Sequence, residues 1–192
     1  MVALTDHHLK GAARIQNARN VGLIALKHAA ELSDAPFKGR ELDPPQSDAG
    51  APLPIDGWFW SLAHTRGMVV SVTAPLPLGI DVEWLERKRW QHARDYFEGL
   101  APEELDCIGG DDVASVLTLW AGKEAVLKRA GIGLADLARC ELVARTAEDE
   151  LLFRHNEDEV YVRHTTFGRH VITLAYDKSF DWEISTIPSL EH

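Results

Sequence analysis

Two long stretches of helical periodicity, each followed by short β-like runs, constrain this chain more than any other feature. Over residues 9–32 the apolar positions Ile15, Leu23, Leu26 and Ala30 recur near helical spacing. A second helix is expected over 112–131, capped by Asp112 and ended by Gly131. Strand-like segments follow the first helix at 58–62, 68–73 and 78–84, separated by Gly or Pro signals. They follow the second at 140–144, 151–154, 159–164, 170–176 and 182–187. Between them, 33–57 is rich in Pro, Gly and Asp and reads as a long loop, and 87–110 reads as polar helix. Helix, strands, helix, strands indicates an α+β protein of two related lobes. The expected division is an N-terminal lobe over 1–77 and a C-terminal lobe over 78–189. Leu190, Glu191 and His192 read as a cloning scar.

A chain of 192 residues buries roughly 70% of its unfolded surface, so it folds without a disulfide or metal staple. Cys107 and Cys140 are its only cysteines, in no CxxC or Cys/His spacing. They read as free thiols in a reducing compartment, with no structural zinc. The first residues lack the apolar core of a signal peptide, and no apolar run approaches membrane-spanning length. A cytoplasmic location is therefore expected. Thirty acidic residues against twenty basic ones give a formal charge of −10, which disfavours nucleic-acid and anionic-membrane partners. The cluster Arg87, Lys88 and Arg89 reads as solvated surface.

The segment GIDVE, residues 79–83, puts two acids into an otherwise strand-like run. Side chains alternate along a strand, so Asp81 and Glu83 share one face and Ile80 and Val82 the other. Like charges so placed repel unless that face meets water, a metal ion or a positive side chain. The second helix offers a partner. Val113, Leu117, Trp120, Glu124 and Lys128 form one stripe that begins apolar and ends charged. Alone, Glu124 and Lys128 also fit an ordinary surface pair worth about 0.2–0.5 kcal/mol. With Asp81 and Glu83 they suggest three carboxylates converging on one hard cation, with magnesium and a phosphate-bearing substrate as its natural company.

GIDVE followed some forty residues later by WAGKEAVLK resembles the signature of 4'-phosphopantetheinyl transferases, Gly-(Ile/Val)-Asp-x-Glu and then Trp-x-x-Lys-Glu-x-x-x-Lys. Upstream, Trp60-Ser61-Leu62-Ala63-His64-Thr65 is similar to the family's Ser-His-Ser segment, and RDYFEGLAPEEL and GIGL match its pattern too. Retention of Asp-x-Glu and the length resemble the larger, two-lobed surfactin-synthetase-activating type, which implies a monomeric pseudo-dimer of two similar lobes, each a small antiparallel sheet packed on a long helix.

The resemblance implies an enzyme that moves 4'-phosphopantetheine from coenzyme A to a serine of an apo acyl, peptidyl or aryl carrier protein. It implies magnesium on Asp81, Glu83 and Glu124, phosphate contacts from Lys128, and Glu124 as acceptor of the serine proton. His64 and Thr65 would meet the coenzyme A phosphates, and one of Arg14 and Arg19 the nucleotide. Lys123, about 100° around the helix from Glu124, serves either phosphate binding or solubility. Two departures stand out: Gly50-Ala51-Pro52-Leu53 replaces a Lys-Pro pair, leaving Lys38 or Arg40 as substitutes, and Ala63 replaces a serine. Phe97 and Leu100 are candidates for an apolar carrier-protein patch, and equally for core packing. Trp58, Trp60 and Trp120 read as core residues.

Two other functions are compatible with parts of the pattern. A metal-dependent nuclease also uses acids and a lysine, but the helical Glu–Lys spacing and acidic chain disfavour it. A non-catalytic module that binds coenzyme A or a carrier protein would fit the altered regions around Gly50 and Ala63.

Overall fold

The computed structural model describes residues 1–5, 8–48, 50–178 and 181–187. It is an α+β structure with four α-helices and two antiparallel sheets. The first sheet has three strands, β1 (Val2–Leu4), β2 (Phe59–Thr65) and β3 (Met68–Ala74), in the order β1-β3-β2. Helix α1 (Gly11–Leu32) lies across β3 and buries Ala18, Val21, Ala25 and Leu26. The second sheet has five strands, ordered β4-β8-β7-β6-β5. These are β4 (Gly79–Trp84), β5 (Cys140–Ala147), β6 (Glu150–His155), β7 (Asp158–Phe167) and β8 (His170–Tyr176).

Helix α4 (Val113–Arg129) crosses β4 and β8. Its start is fixed by Asp112, whose Oδ1 accepts from Ala114 N at 2.8 Å and Ser115 N at 3.3 Å. The polar stretch before it folds as two helices, α2 (Gln91–Leu100) and α3 (Pro102–Ile108). Pro102 opens α3, where its missing N–H costs nothing. Two glycines let α4 seat closely. A Cβ on Gly79 would lie 2.0 Å from Ala125 O, and one on Gly122 would lie 2.8 Å from Phe153 Cζ. Strand β4 is thus pressed against α4 backbone to backbone.

The sheets meet edge to edge at β2 and β4, where Ile80 N donates to Ser61 Oγ at 3.1 Å. Ile80 and Val82 point into a core shared with Val2, Ala63, Met68, Val70, Val72 and Ile172. The pleat therefore turns Asp81 and Glu83 the opposite way, towards α4.

One expectation needs revision. Residues 182–187 do not form a strand. They touch β1 through one parallel bridge, Val2 to Thr186, flanked by hydrogen bonds from Val2 N to Ser185 O and from Ile187 N to Val2 O, each 2.9 Å. The 33–57 segment is a loop, as expected, but an anchored one. Phe37 is fully buried against Ala30 and Ala35, and Trp60 Nε1 donates to Leu53 O at 2.8 Å. Residues 188–192, including the suspected cloning scar, lie outside the described residues.

Candidate active site

The stripe on α4 and the acid face of β4 come together. One oxygen from each of Asp81, Glu83 and Glu124 lies within 4.8 Å of the others. Asp81 and Glu83 are buried and Glu124 is half-buried. Lys128 Nζ reaches Asp81 Oδ1 at 2.5 Å and Ile80 O at 3.2 Å. Arg87 Nη1 reaches Glu83 Oε1 at 2.6 Å. Trp120 Nε1 donates to Glu124 Oε1 at 2.7 Å. Of the three ways to relieve repulsion between strand carboxylates, positive side chains are present, one on each of Asp81 and Glu83.

Electrostatics sharpen the picture. Burial pushes the Asp81 carboxyl up to about 7; Lys128 opposes the rise, and the Glu124 and Glu83 carboxylates add to it. Burial also raises Glu83, against the pull of the Arg87 guanidinium. His64 is held below the ordinary histidine range by burial and then by Lys128 and Arg14. Strained ionisation in a cleft is typical of functional carboxylates. The donors are all anionic oxygens, the set preferred by Mg2+ and Ca2+ rather than by zinc. Three carboxylates also carry more charge than the two adjacent cations offset. The residues present therefore fit a hard divalent ion.

The carboxylates open into a cavity of about 650 Å3 whose wall also includes Arg14, His64, Thr65, Arg66, Arg87 and Lys128. A second cavity of about 580 Å3 is lined by Arg19, the loop residues Asp43 to Pro52 in part, and Gly131 to Gly133. His64 and Lys128 belong to both walls. Arg14 and Arg19 thus face different cavities rather than competing for one position. The Gly50-Ala51-Pro52 departure lies on the second.

Other expected residues stay away from both cavities. Lys123 is buried on another side of α4, with Nζ 2.9 Å and 2.6 Å from the two oxygens of Glu104. Glu104 also accepts from Leu142 N at 2.9 Å, so the pair ties α3, α4 and β5 together. Lys38 pairs with Asp34, and Arg40 with Asp56 at 2.6 Å, so both are engaged within their loop. Phe97 is fully buried, which leaves Leu100, at 67% exposed, as the outward member of that pair. Arg87 is exposed and Trp120 packs on the core, as expected, but sequence reading missed their contacts with Glu83 and Glu124. The Glu-x-x-x-Arg and Trp-x-x-x-Glu spacings were the available signals.

The family model of the 4'-phosphopantetheinyl transferase superfamily matches residues 77–175, from just before β4 into the last residues of β8, and the chain belongs to that superfamily. Its members are transferases that pass phosphopantetheine from coenzyme A to carrier proteins. No curated protein matches the chain. Among the described residues, no helix is long and apolar enough to cross a membrane.

Proposed function

We propose that this chain transfers 4'-phosphopantetheine from coenzyme A to a serine of an apo acyl, peptidyl or aryl carrier protein, with Mg2+, releasing adenosine 3',5'-bisphosphate. The observation that carries this reading is the convergence of Asp81, Glu83 and Glu124 beside Lys128 and His64, in a cavity of ligand size.

Asp81, Glu83 and Glu124 would hold the ion. A magnesium ion bound there supplies charge neutralisation for the coenzyme A pyrophosphate. Lys128 stabilises the negative charge that builds on the leaving nucleotide. Glu124 accepts the serine proton as the serine oxygen bonds to the pantetheine-bearing phosphorus. The bridging P–O bond breaks, and adenosine 3',5'-bisphosphate leaves with the electron pair. His64 and Thr65 contact phosphate oxygens. Arg14 acts in the cavity of the carboxylates and Arg19 in its neighbour, where guanidinium forks suit a nucleotide's phosphates. Lys123 has no place in this scheme, because Glu104 engages it.

The two-lobed surfactin-synthetase-activating type is the subtype proposed. Its support is a long helix on an antiparallel sheet in each half: α1 with three strands and α4 with five. Lobes of 1–77 and 78–189 are proposed, supported by the assignment of β1 to β3 to one sheet and β4 to β8 to the other. A monomer is proposed together with that subtype, and a cytoplasmic location on the free thiols of Cys107 and Cys140.

The test incubates the protein with coenzyme A, Mg2+ and a panel of apo carrier proteins, and reads intact masses. Gain of one phosphopantetheine, abolished by EDTA, is the expected result. Coenzyme A binding without transfer to any carrier would replace the transferase by a binding module.

A further inference from the structure

The three carboxylates are not partnered alike. Asp81 faces the Lys128 ammonium and Glu83 the Arg87 guanidinium, but Glu124 faces a neutral donor, the Trp120 indole. Among the described residues Glu124 has no ion pair. We propose that Trp120 is a positioning residue for Glu124: its indole N–H holds one carboxylate oxygen so that the other is presented towards Asp81 and Glu83.

Trp120 and Glu124 stand one turn apart on α4, on one face of the helix. The 2.7 Å hydrogen bond fixes the end of a side chain that would otherwise swing through several rotamers. The indole is itself braced from α2. Tyr96 meets it edge-on at 6.1 Å and 87°, and Phe97 at 6.3 Å and 72°. Tyr96 and Phe97 in turn pack edge to face at 5.3 Å. Because Phe97 is fully buried, this bracing is part of the core rather than of a mobile surface.

The choice of donor has a chemical logic. A lysine or arginine on Glu124 would orient it equally well, but would offset the charge that attracts a cation. An indole N–H orients without neutralising, and it can only donate, so the oxygen it meets must accept. Ligands to metal ions commonly depend on such outer hydrogen bonds for their aim. The order of ordering matters too: the rotamer freedom of Glu124 is lost on folding instead of on metal binding. A residue that looks like core filling would thus set how tightly the cation is held.

This inference rests on the reading that the three carboxylates hold a divalent cation. The test measures Mn2+ binding to the full chain by the EPR signal of the free ion, without any transfer assay. Trp120→Phe, which keeps the ring packing and removes the donor, should bind Mn2+ about tenfold more weakly than wild type. Trp120→His, which retains a ring N–H, should recover part of that loss. Unchanged Mn2+ affinity in a folded Trp120→Phe would overturn the positioning role. Absence of Mn2+ binding by the wild-type chain would instead overturn the metal reading, and this inference with it.

Should the Trp120 variants fail to fold, indole NMR carries the test without altering Trp120. The chain has six tryptophans, hence six indole N–H signals. Glu124→Ala removes the acceptor, so one signal should move, and that same signal should broaden first when substoichiometric Mn2+ is added to wild type. Six signals indifferent to Glu124→Ala would overturn the proposal.

Discussion

Lys128 Nζ lies 2.5 Å from Asp81 Oδ1, so an ammonium stands beside the carboxylates that would otherwise repel one another. The contact links the end of α4 to the middle of β4, and it gives Lys128 a task before any substrate arrives. Lys128→Ala should still fold, because Asp81 can take up a proton when its partner is gone. Transfer should fall by about a hundredfold or more, as expected for loss of a charge that stabilises the leaving group. Circular dichroism and initial transfer rates check both halves. Near-normal turnover would remove Lys128 from the chemistry.

The raised ionisation of Asp81 has a pH signature. Its folded value, about 7, lies above the ordinary 3.8, so the stability it permits is complete below about 4 and is lost as pH rises through about 7. For a single group the slope cannot exceed about 1.4 kcal/mol per pH unit. Asp81→Asn cannot ionise and should escape this cost. In EDTA, urea unfolding should show the variant gaining on wild type from pH 5 to pH 8. The same titration predicts that wild type binds Mg2+ more tightly as pH rises over that range, since the proton competes with the ion. A stability difference independent of pH would refute the assignment.

Gly79→Ala should be damaging out of proportion to one methyl group. The new Cβ would meet backbone, Ala125 O at 2.0 Å and Arg129 N at 2.5 Å, and neither atom can rotate away. Overpacking of this kind costs about 1–3 kcal/mol or more, which for a chain of this size is a fall in melting midpoint of roughly 3–10 °C. The strand must also retreat from α4, drawing Asp81 and Glu83 off Glu124. Calorimetry should show the fall and Mn2+ binding should weaken with it. A variant with unaltered midpoint and affinity would show that β4 tolerates displacement.

Lys123 should behave as a structural residue. Lys123→Met leaves Glu104 buried without its cation, a change worth about 3–5 kcal/mol in comparable pairs. Combining it with Glu104→Gln, which keeps an acceptor for Leu142 N, should restore most of the loss. The KM for coenzyme A should stay close to wild type in the double variant. A large rise in KM there would return Lys123 to the phosphates.

The sequence carried the site's main axis, because two periodicities were enough to find it. Period 2 put Asp81 and Glu83 on one side of β4, and steps of three and four put Trp120, Glu124 and Lys128 on one side of α4. What those periods omit is the surroundings. The angle of Lys123 around α4 was legible, but not that α3 would arrive there with Glu104. Arg87 reaches back to Glu83 across the turn after β4, which a count of local charges cannot show. Residues 182–187 read like a strand, yet among the described residues their pairing to β1 is confined to Val2, which bonds Ser185 O and Ile187 N. Strand β1, at three residues, is too brief to show any period.

The hydrogen bond from Ile80 N to Ser61 Oγ marks where two open sheet margins are turned on each other. An unpaired margin is normally a template on which foreign strands assemble, and proteins hide it with charge, proline or a covering loop. Here each sheet shields the other, so the seam beside the carboxylates doubles as a guard against aggregation. Severing the halves would uncover both templates at once, and each piece alone should precipitate where the intact chain stays dispersed.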